Sequence, residues 1–380
     1  MFNRILKLPL NDKASIFLFG PRGTGKTSWI KSHLPDSIYL DLLNFSTYSS
    51  LSASPNRLEN LIPANYKNWV VIDEVQRIPE LLNEVHRLIE HKNIKFILTG
   101  SSARSLRRTG VNLLAGRALR YNMHPLVIQE MGSQFNLENA LQYGLLPAVV
   151  THSEPKKYLE SYVQTYVREE VLQEGLTRNI GAFSRFLEAA SFSQGQVLNF
   201  SEIARELSLN RLTVANYFDV LEDLLLSIRI PVFSQRAKRK IIVHQKFYFF
   251  DTGVYRILRP RGPLDSSEEI DGAALETLFL QSLSAINDYY NLDYKIYFWR
   301  TSSGDEVDFV IYGPNGFHAF EIKRSSYISS KSLKGLKNFG EDYPEATLRI
   351  LYMGKHKEYH GNITAIPLEE ALRELPELIK

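Results

Sequence analysis

The chain has 380 residues, 44% apolar and 23% charged, with a formal net charge of +3 and no cysteine. That length holds two or three domains with real cores, and the missing cysteines exclude disulfides, thiolate zinc sites and cysteine nucleophiles. So small a net charge leaves any nucleic-acid surface to local clusters, and any metal held by carboxylates to Mg²⁺ or Mn²⁺.

The chain opens on "MFNRILKLPLNDK", whose apolar run is too short for a signal peptide. No segment reaches the roughly 18 apolar residues of a membrane span. The expectation is a cytoplasmic protein without a membrane partner. Next, "SIFLFGPRGTGKTSWI" reads as a buried strand, a Gly-rich loop and a helix start. Gly20, Gly23, Gly25, Lys26 and Thr27 fit G-x-x-x-x-G-K-[ST], so the loop Gly20, Pro21, Arg22, Gly23, Thr24, Gly25, Lys26, Thr27, Ser28 is the predicted phosphate cradle. Backbone N–H groups fold around the phosphates, Lys26 reaches the β and γ oxygens, and the Thr27 hydroxyl turns to Mg²⁺. The helix N-terminus adds partial positive charge.

In "NWVVIDEVQ", Val70, Val71 and Ile72 form a second buried strand with Asp73 at its C-terminal end. Open α/β sheets bind ligands at that edge, which assigns Asp73 to Mg²⁺ through water. Glu74 follows as the candidate to polarise an attacking water; the competing role is to cap the helix that begins near Pro79. An acid here favours hydrolysis over phosphoryl transfer to a small acceptor, which disfavours a metabolite kinase. The strand "IKFILTGSS" ends in hydroxyls, making Ser101 or Ser102 a candidate γ-phosphate sensor. Arg117, ahead of the strand-like "ALRYNMHPL", is the candidate to reach a neighbouring subunit's nucleotide, in competition with Arg104, Arg107 and Arg108. That role implies a homo-oligomer; the alternative is a surface arginine in a local ion pair.

The Gly-rich loop, "VVIDE", "ILTGSS" and "LAGR", in this order and spacing, resemble the AAA-type ATPases of bacteria and archaea over residues 1 to 130. The resemblance implies an additional-strand P-loop fold and ATP, not GTP, as the nucleotide. It also implies that the remainder is the domain of unknown function that follows this module in such proteins. No second sensor arginine from a helical lid is visible.

The middle of the chain reads as helical. In "NFSEIARELSLNRLTVANYFDVLEDLLLSIRI", Ser201 is the predicted cap of one short helix, and Val214, Tyr217, Phe218, Leu221 and Leu225 face inward from a second. Two strands within "PVFSQRAKRKIIVHQKFYFFD" then complete a winged helix. Its basic stretch Arg236, Lys238, Arg239, Lys240 suits phosphate, whereas Asp219, Glu222 and Asp223 repel it.

Near the C-terminus, "SGDEVDFVIYGPNGFHAFEIKRSS" reads as a hairpin around a four-residue loop, Gly313 to Gly316. That register sets Asp308 opposite Glu321 and Glu306 opposite Lys323 on one face. Two acids across a strand pair are destabilising unless a cation lies between them. The structural alternative is a solvated face with a Glu306–Lys323 ion pair. Asp308, then Glu321-x-Lys323, with Glu276 on the preceding helix "DGAALETLFLQSLSAI", resembles the restriction-endonuclease-like fold over residues 270 to 355. Val307 stands where many such nucleases place proline. The resemblance implies Glu276, Asp308 and Glu321 as Mg²⁺ or Mn²⁺ ligands and Lys323 as the residue that serves the nucleophilic water. Lys331, Lys334 and Lys337 would form a backbone-phosphate rail.

The predicted architecture is α/β throughout its catalytic parts. It comprises an ATPase domain at 1–135, a helical and winged-helix region at 136–260, and a nuclease-like domain at 261–380. The predicted function is ATP hydrolysis coupled to action on nucleic acid, with a Mg²⁺-dependent nuclease-like site. The alternative is a nucleotide-dependent switch whose nuclease-like domain binds without cutting.

Overall fold

The computed structural model describes residues 2–101, 114, 116–167, 180–234, 244–263 and 265–380, and the chain divides into two units. One comprises Arg4–His124 with Asp223–Leu225; the other holds Pro125–Glu222, Leu226–Lys380 and the first three residues.

In the first unit, the predicted buried runs become β1 (Ser15–Phe19), β3 (Trp69–Asp73) and β4 (Lys95–Gly100), joined by β2 (Ile38–Asp41) and β5 (Ala118–Asn122). The order is β2-β3-β4-β1-β5, with every neighbouring pair parallel. β1 and β3 are buried along their whole length, as strands covered on both faces must be. Among the described residues, the sheet is accompanied by α1 (Lys26–His33), α2 (Phe45–Ala53) and α3 (Leu81–Lys92). Leu81, Leu82, Val85 and Leu88 recur at helical spacing on α3 and join Phe17, Val70, Ile72, Phe96 and Leu98 in one core. β4 lies between the strand that leads into the Gly-rich loop and the strand that ends in Asp73. Because all three are parallel, their C-terminal ends meet at one edge, where an open sheet takes its ligand.

In the second unit, α4 (Ile180–Phe192), α5 (Phe200–Glu206) and α6 (Arg211–Asp223) precede an antiparallel ribbon of β6 (Ser227–Ile230) and β7 (Lys246–Phe249). Val214, Tyr217, Phe218 and Leu221 are buried on α6, as the spacing predicts, but Leu225 lies past the end of the helix, with a left-handed backbone (φ 58°) and a half-buried side chain. Two further local expectations change. Asn199, not Ser201, caps α5: its side chain accepts from the Glu202 amide, which puts Ser201 inside the first turn. The first ribbon strand is "SIRI" and not "PVFS", because the Leu226 amide closes onto the Leu221 carbonyl and frees the chain to extend from Ser227. The basic stretch Arg236, Lys238, Arg239, Lys240 lies outside the described residues.

The C-terminal sheet runs β12-β13-β11-β10-β9-β8. Its strands are β8 (Lys295–Arg300), β9 (Glu306–Gly313), β10 (Gly316–Lys323), β11 (Thr347–Tyr352), β12 (Glu358–His360) and β13 (Ile363–Pro367). Against it lie the 23-residue helix α7 (Ser267–Tyr289) and α8 (Lys334–Asp342). β8 forms an edge. The β9–β10 hairpin has the predicted register, with Phe317 opposite Tyr312 and Phe320 opposite Phe309. Gly313 and Gly316 also pair, so the loop tightens to Pro314 and Asn315. Among the described residues, no helix is long and apolar enough to cross a membrane.

Candidate functional site

The Gly-rich loop leaves β1 at Gly20 and enters α1 at Lys26. Gly23 and Gly25 take φ of 83° and 95°, a region that costs a side chain about 1–2 kcal/mol and glycine almost nothing. A Cβ at Gly20 would run into the Met123 carbonyl. Arg4 braces the loop, donating to the Thr24 carbonyl at 2.6 Å and the His124 carbonyl at 2.7 Å. The Lys26 side chain is buried and donates to the carbonyls of Gly20 at 2.5 Å and Pro21 at 3.2 Å.

Asp73 is buried at the end of β3. One carboxylate oxygen accepts from the Thr27 hydroxyl at 3.1 Å and from the Tyr39 hydroxyl; the other accepts from Thr99. Burial, then the Asp73 contact, pushes the Tyr39 phenol far above its ordinary pKa, so Tyr39 stays a donor. Glu74 has a left-handed backbone (φ 61°), unusual for a non-glycine residue, and its amide donates to Thr99 at 3.3 Å. Its carboxylate accepts from the Gln76 amide group, which also donates to Ser101 at 3.1 Å. Glu74 is therefore tied to Ser101, one at the end of β3 and the other just past β4. It also precedes a short 3₁₀ turn and makes no side-chain cap there. Arg117 forms an ion pair with Glu90 of the same unit. Ser102, Arg104, Arg107 and Arg108 lie outside the described residues.

This constellation fits Mg²⁺ and a nucleoside triphosphate. A buried ammonium and the amides opening α1 suit phosphates, while Thr27 beside Asp73 offers the hydroxyl–carboxylate pair a hard cation takes. The cation would draw charge from the phosphate oxygens. Glu74 is the group placed to hold and orient a water, with Ser101 linked to it through Gln76. Sequence reasoning missed Arg4 and Tyr39, which lie outside every motif, and Thr99 and Gln76, which lie within "IKFILTGSS" and "NWVVIDEVQ" but whose partners are set by the fold.

The second cluster lies on the C-terminal sheet. Asp308 and Glu321 come together as the hairpin register requires, and Glu276 of α7 shares the Lys246 ammonium with Asp308. The Asp308 carboxylate accepts from the Ile322 amide at 2.8 Å, and the Asp308 amide donates to Glu321 at 3.3 Å. Lys323 pairs with Glu321. The alternative Glu306–Lys323 pair does not form; Glu306 instead contacts Arg300 at 3.5 Å and Lys246. Lys246, on β7, was not predicted. It is 2% exposed, and its ammonium touches Glu306, Asp308 at 3.5 Å and Glu276 at 4.0 Å. Tyr248, two residues on, donates to Glu276 at 2.7 Å. Burial, with the Asp308 charge second, pushes the Glu276 and Glu321 carboxyls well up. Burial disfavours the Lys246 ammonium, yet Glu276, Asp308 and Glu306 outweigh it and hold its pKa above the lysine value. These residues do not fit a divalent cation as arranged: an ammonium lies among the carboxylates, and among the described residues no group of three or more acids or histidines is placed to hold a metal. Of the lysine rail, Lys334 opens α8 but pairs with Asp305 at 2.8 Å.

Comparison with known proteins matches three successive stretches of the chain. Residues 12–132 match an AAA domain, residues 134–265 a domain of unknown function (DUF8612), and residues 271–371 another (DUF4143). The first part of the chain is thus an AAA-type P-loop domain, followed by these two. The uncharacterized protein Rv2008c of Mycobacterium tuberculosis is 26% identical over 379 residues, covering 97% of this chain and 83% of its own length. The uncharacterized protein MJ1544 of Methanocaldococcus jannaschii is 23% identical, covering 83% of this chain and 76% of its own. Among solved structures, the Aeropyrum pernix Orc1 protein in complex with DNA matches at a TM-score of 0.26 and 13% identity, over 64% of this chain and 86% of that one. Protein VC1899 from Vibrio cholerae matches at 0.23 and 9% identity, over 96% of each. At these TM-scores the solved structures add nothing to the functional reading.

Proposed function

We propose that the protein hydrolyses ATP with Mg²⁺ at its Gly-rich loop, and that this turnover switches a C-terminal module that binds nucleic acid without cutting it. One observation carries the ATPase reading: Lys26, Thr27, Asp73, Glu74 and Ser101 gather at the C-terminal ends of three adjacent parallel strands. Each has the chemistry its position needs. Phosphate release should therefore be absent in Lys26→Ala and strongly reduced in Glu74→Gln, with nucleotide still bound by the latter. Wild-type turnover in Glu74→Gln would remove that residue's role.

The nucleic-acid part follows the division 1–135, 136–260, 261–380. Helices α5 and α6 with the β6–β7 ribbon have the plan of a winged helix. Asp219 and Glu222, which count against phosphate in the bare sequence, are both paired with Arg229. Salt-dependent binding of duplex DNA tests this; no binding at low salt would redirect the search to a protein partner. The C-terminal fold has the helix, hairpin and acids of a restriction-endonuclease-like domain, and the ammonium among its acids favours the non-cutting reading. A second reading, a Mg²⁺- or Mn²⁺-dependent nuclease, is favoured by Asp308 lying against Glu321 with Lys323 beside it. Cleavage of linear or supercoiled DNA that disappears in Asp308→Ala would establish it.

A further inference from the structure

We propose that the Lys246 ammonium is the resident cation of the C-terminal carboxylate cluster and occupies the place a divalent metal would need. The inference rests on the non-cutting reading above and gives it a cause.

An ammonium carries three N–H donors and no acceptor. Lys246 faces three carboxylates, Glu306, Asp308 and Glu276, and is all but sealed from water. The remaining acid, Glu321, has its own partner in Lys323. Tyr248 fills a further acceptor position on Glu276. Every acid of the cluster is therefore contacted by a protein cation or donor. A Mg²⁺ ion needs oxygen ligands at about 2.0–2.1 Å and cannot share that volume with an ammonium. Exchange would also require moving a charged lysine out of the interior, where β7 is fixed by pairing with β6, Ile230 opposite Lys246. Access is not the obstacle. A cavity of about 220 Å³, lined in part by Gln194, Gly195, Glu268 and Glu276, opens beside the cluster. Glu276 is reachable from it, but the cluster to which Glu276 belongs already holds a cation.

The test is a Mn²⁺ titration of the nucleotide-free full chain, followed by electron paramagnetic resonance. Wild type should show no binding that depends on Asp308. Lys246→Met, which keeps the stem and removes the charge, should bind Mn²⁺ about tenfold or more tightly than wild type. That gain should vanish in Lys246→Met/Asp308→Asn. A folded Lys246→Met that binds no better than wild type overturns the proposal. If Lys246→Met does not fold, wild type still decides: a melting temperature unmoved by Mn²⁺ supports the proposal, and a saturable rise that Asp308→Asn abolishes overturns it. Asp308-dependent Mn²⁺ binding without DNA cleavage sinks this inference alone, whereas Asp308-dependent cleavage sinks it together with the non-cutting reading.

Discussion

At the Gly-rich loop, the buried aspartate is met by hydroxyls; in the C-terminal sheet the acids are met by lysines. Lys26 rests on backbone carbonyls, and Asp73 is met by the hydroxyls of Thr27, Tyr39 and Thr99. Hydroxyl partners leave the Asp73 charge to be answered by a cation from outside the chain. Lys246 instead lies among Glu276, Glu306 and Asp308, and Lys323 on Glu321. There the chain answers its own charges. Similar residue types thus make a receptive site in one place and a self-neutralised one in the other, and the partner of each charge is what separates them.

The comparison breaks first at Glu74, where the largest effect is expected. If Glu74 holds the water, Glu74→Gln should lower ATP turnover by about 10²–10⁴-fold with nucleotide affinity nearly unchanged, measured as phosphate release beside equilibrium binding. Next come the two lysines. Removing one partner of a buried charge cluster leaves the other charges uncompensated, so Lys246→Met should cost about 3–5 kcal/mol of unfolding free energy. Lys26→Met removes bonds to two carbonyls, each of about 1 kcal/mol, and should cost less than Lys246→Met. Urea melts of both variants without nucleotide check this. Equal losses would mean that the two sites do not differ in the way described.

The halves also differ in how far sequence could reach them. The phosphate loop, Asp73, Glu74 and Ser101 were legible because each lies within a few residues of a strand end that periodicity marks. The hairpin register was legible because the turn pins it, and with it Asp308 against Glu321. What stayed hidden lay far along the chain. Lys246 is 30 residues before Glu276 and 62 before Asp308, in a run that sequence alone reads as a basic wing. Tyr39 reaches Asp73 only because β2 pairs with β3, Asp41 opposite Asp73. Side chains brought in from a neighbouring strand leave no local pattern, and these two decide how the acids are neutralised.

Tyr39 gives a smaller test of the receptive site. Tyr39→Phe removes one of three hydroxyl donors to Asp73 and leaves Thr27 and Thr99 in place. The cost should be about 1.5 kcal/mol of stability, the low end for a bond to a charged group. The loss should shrink when Mg²⁺ and nucleotide are added, because the cation takes over the exposed oxygen. A loss unchanged by ligand would place Tyr39 in the scaffold alone.

The last test concerns the self-neutralised half and its pH response. His318, on β10, has both ring nitrogens committed. Arg349 donates to Nδ1 at 2.9 Å, and Nε2 lies 3.2 Å from the Tyr294 hydroxyl, which itself donates to the Ile379 carbonyl at 2.7 Å. Tyr294 can then only accept from the histidine, so the neutral Nε2–H form is complete and a second proton would face Arg349. Burial first, then Arg349, lowers the His318 pKa to about 4. A histidine with a depressed folded-state pKa contributes stability that is fully present above its unfolded value near 6.5 and is lost as pH falls toward 4. Because the ring keeps some exposure, the loss should be about 1–2 kcal/mol, below the full value of the shift. His318→Gln keeps one acceptor and one donor without titrating. The stability advantage of wild type over this variant should therefore narrow between pH 6.5 and 4 in urea melts. A constant gap would mean that His318 accepts its proton as readily in the fold as outside it.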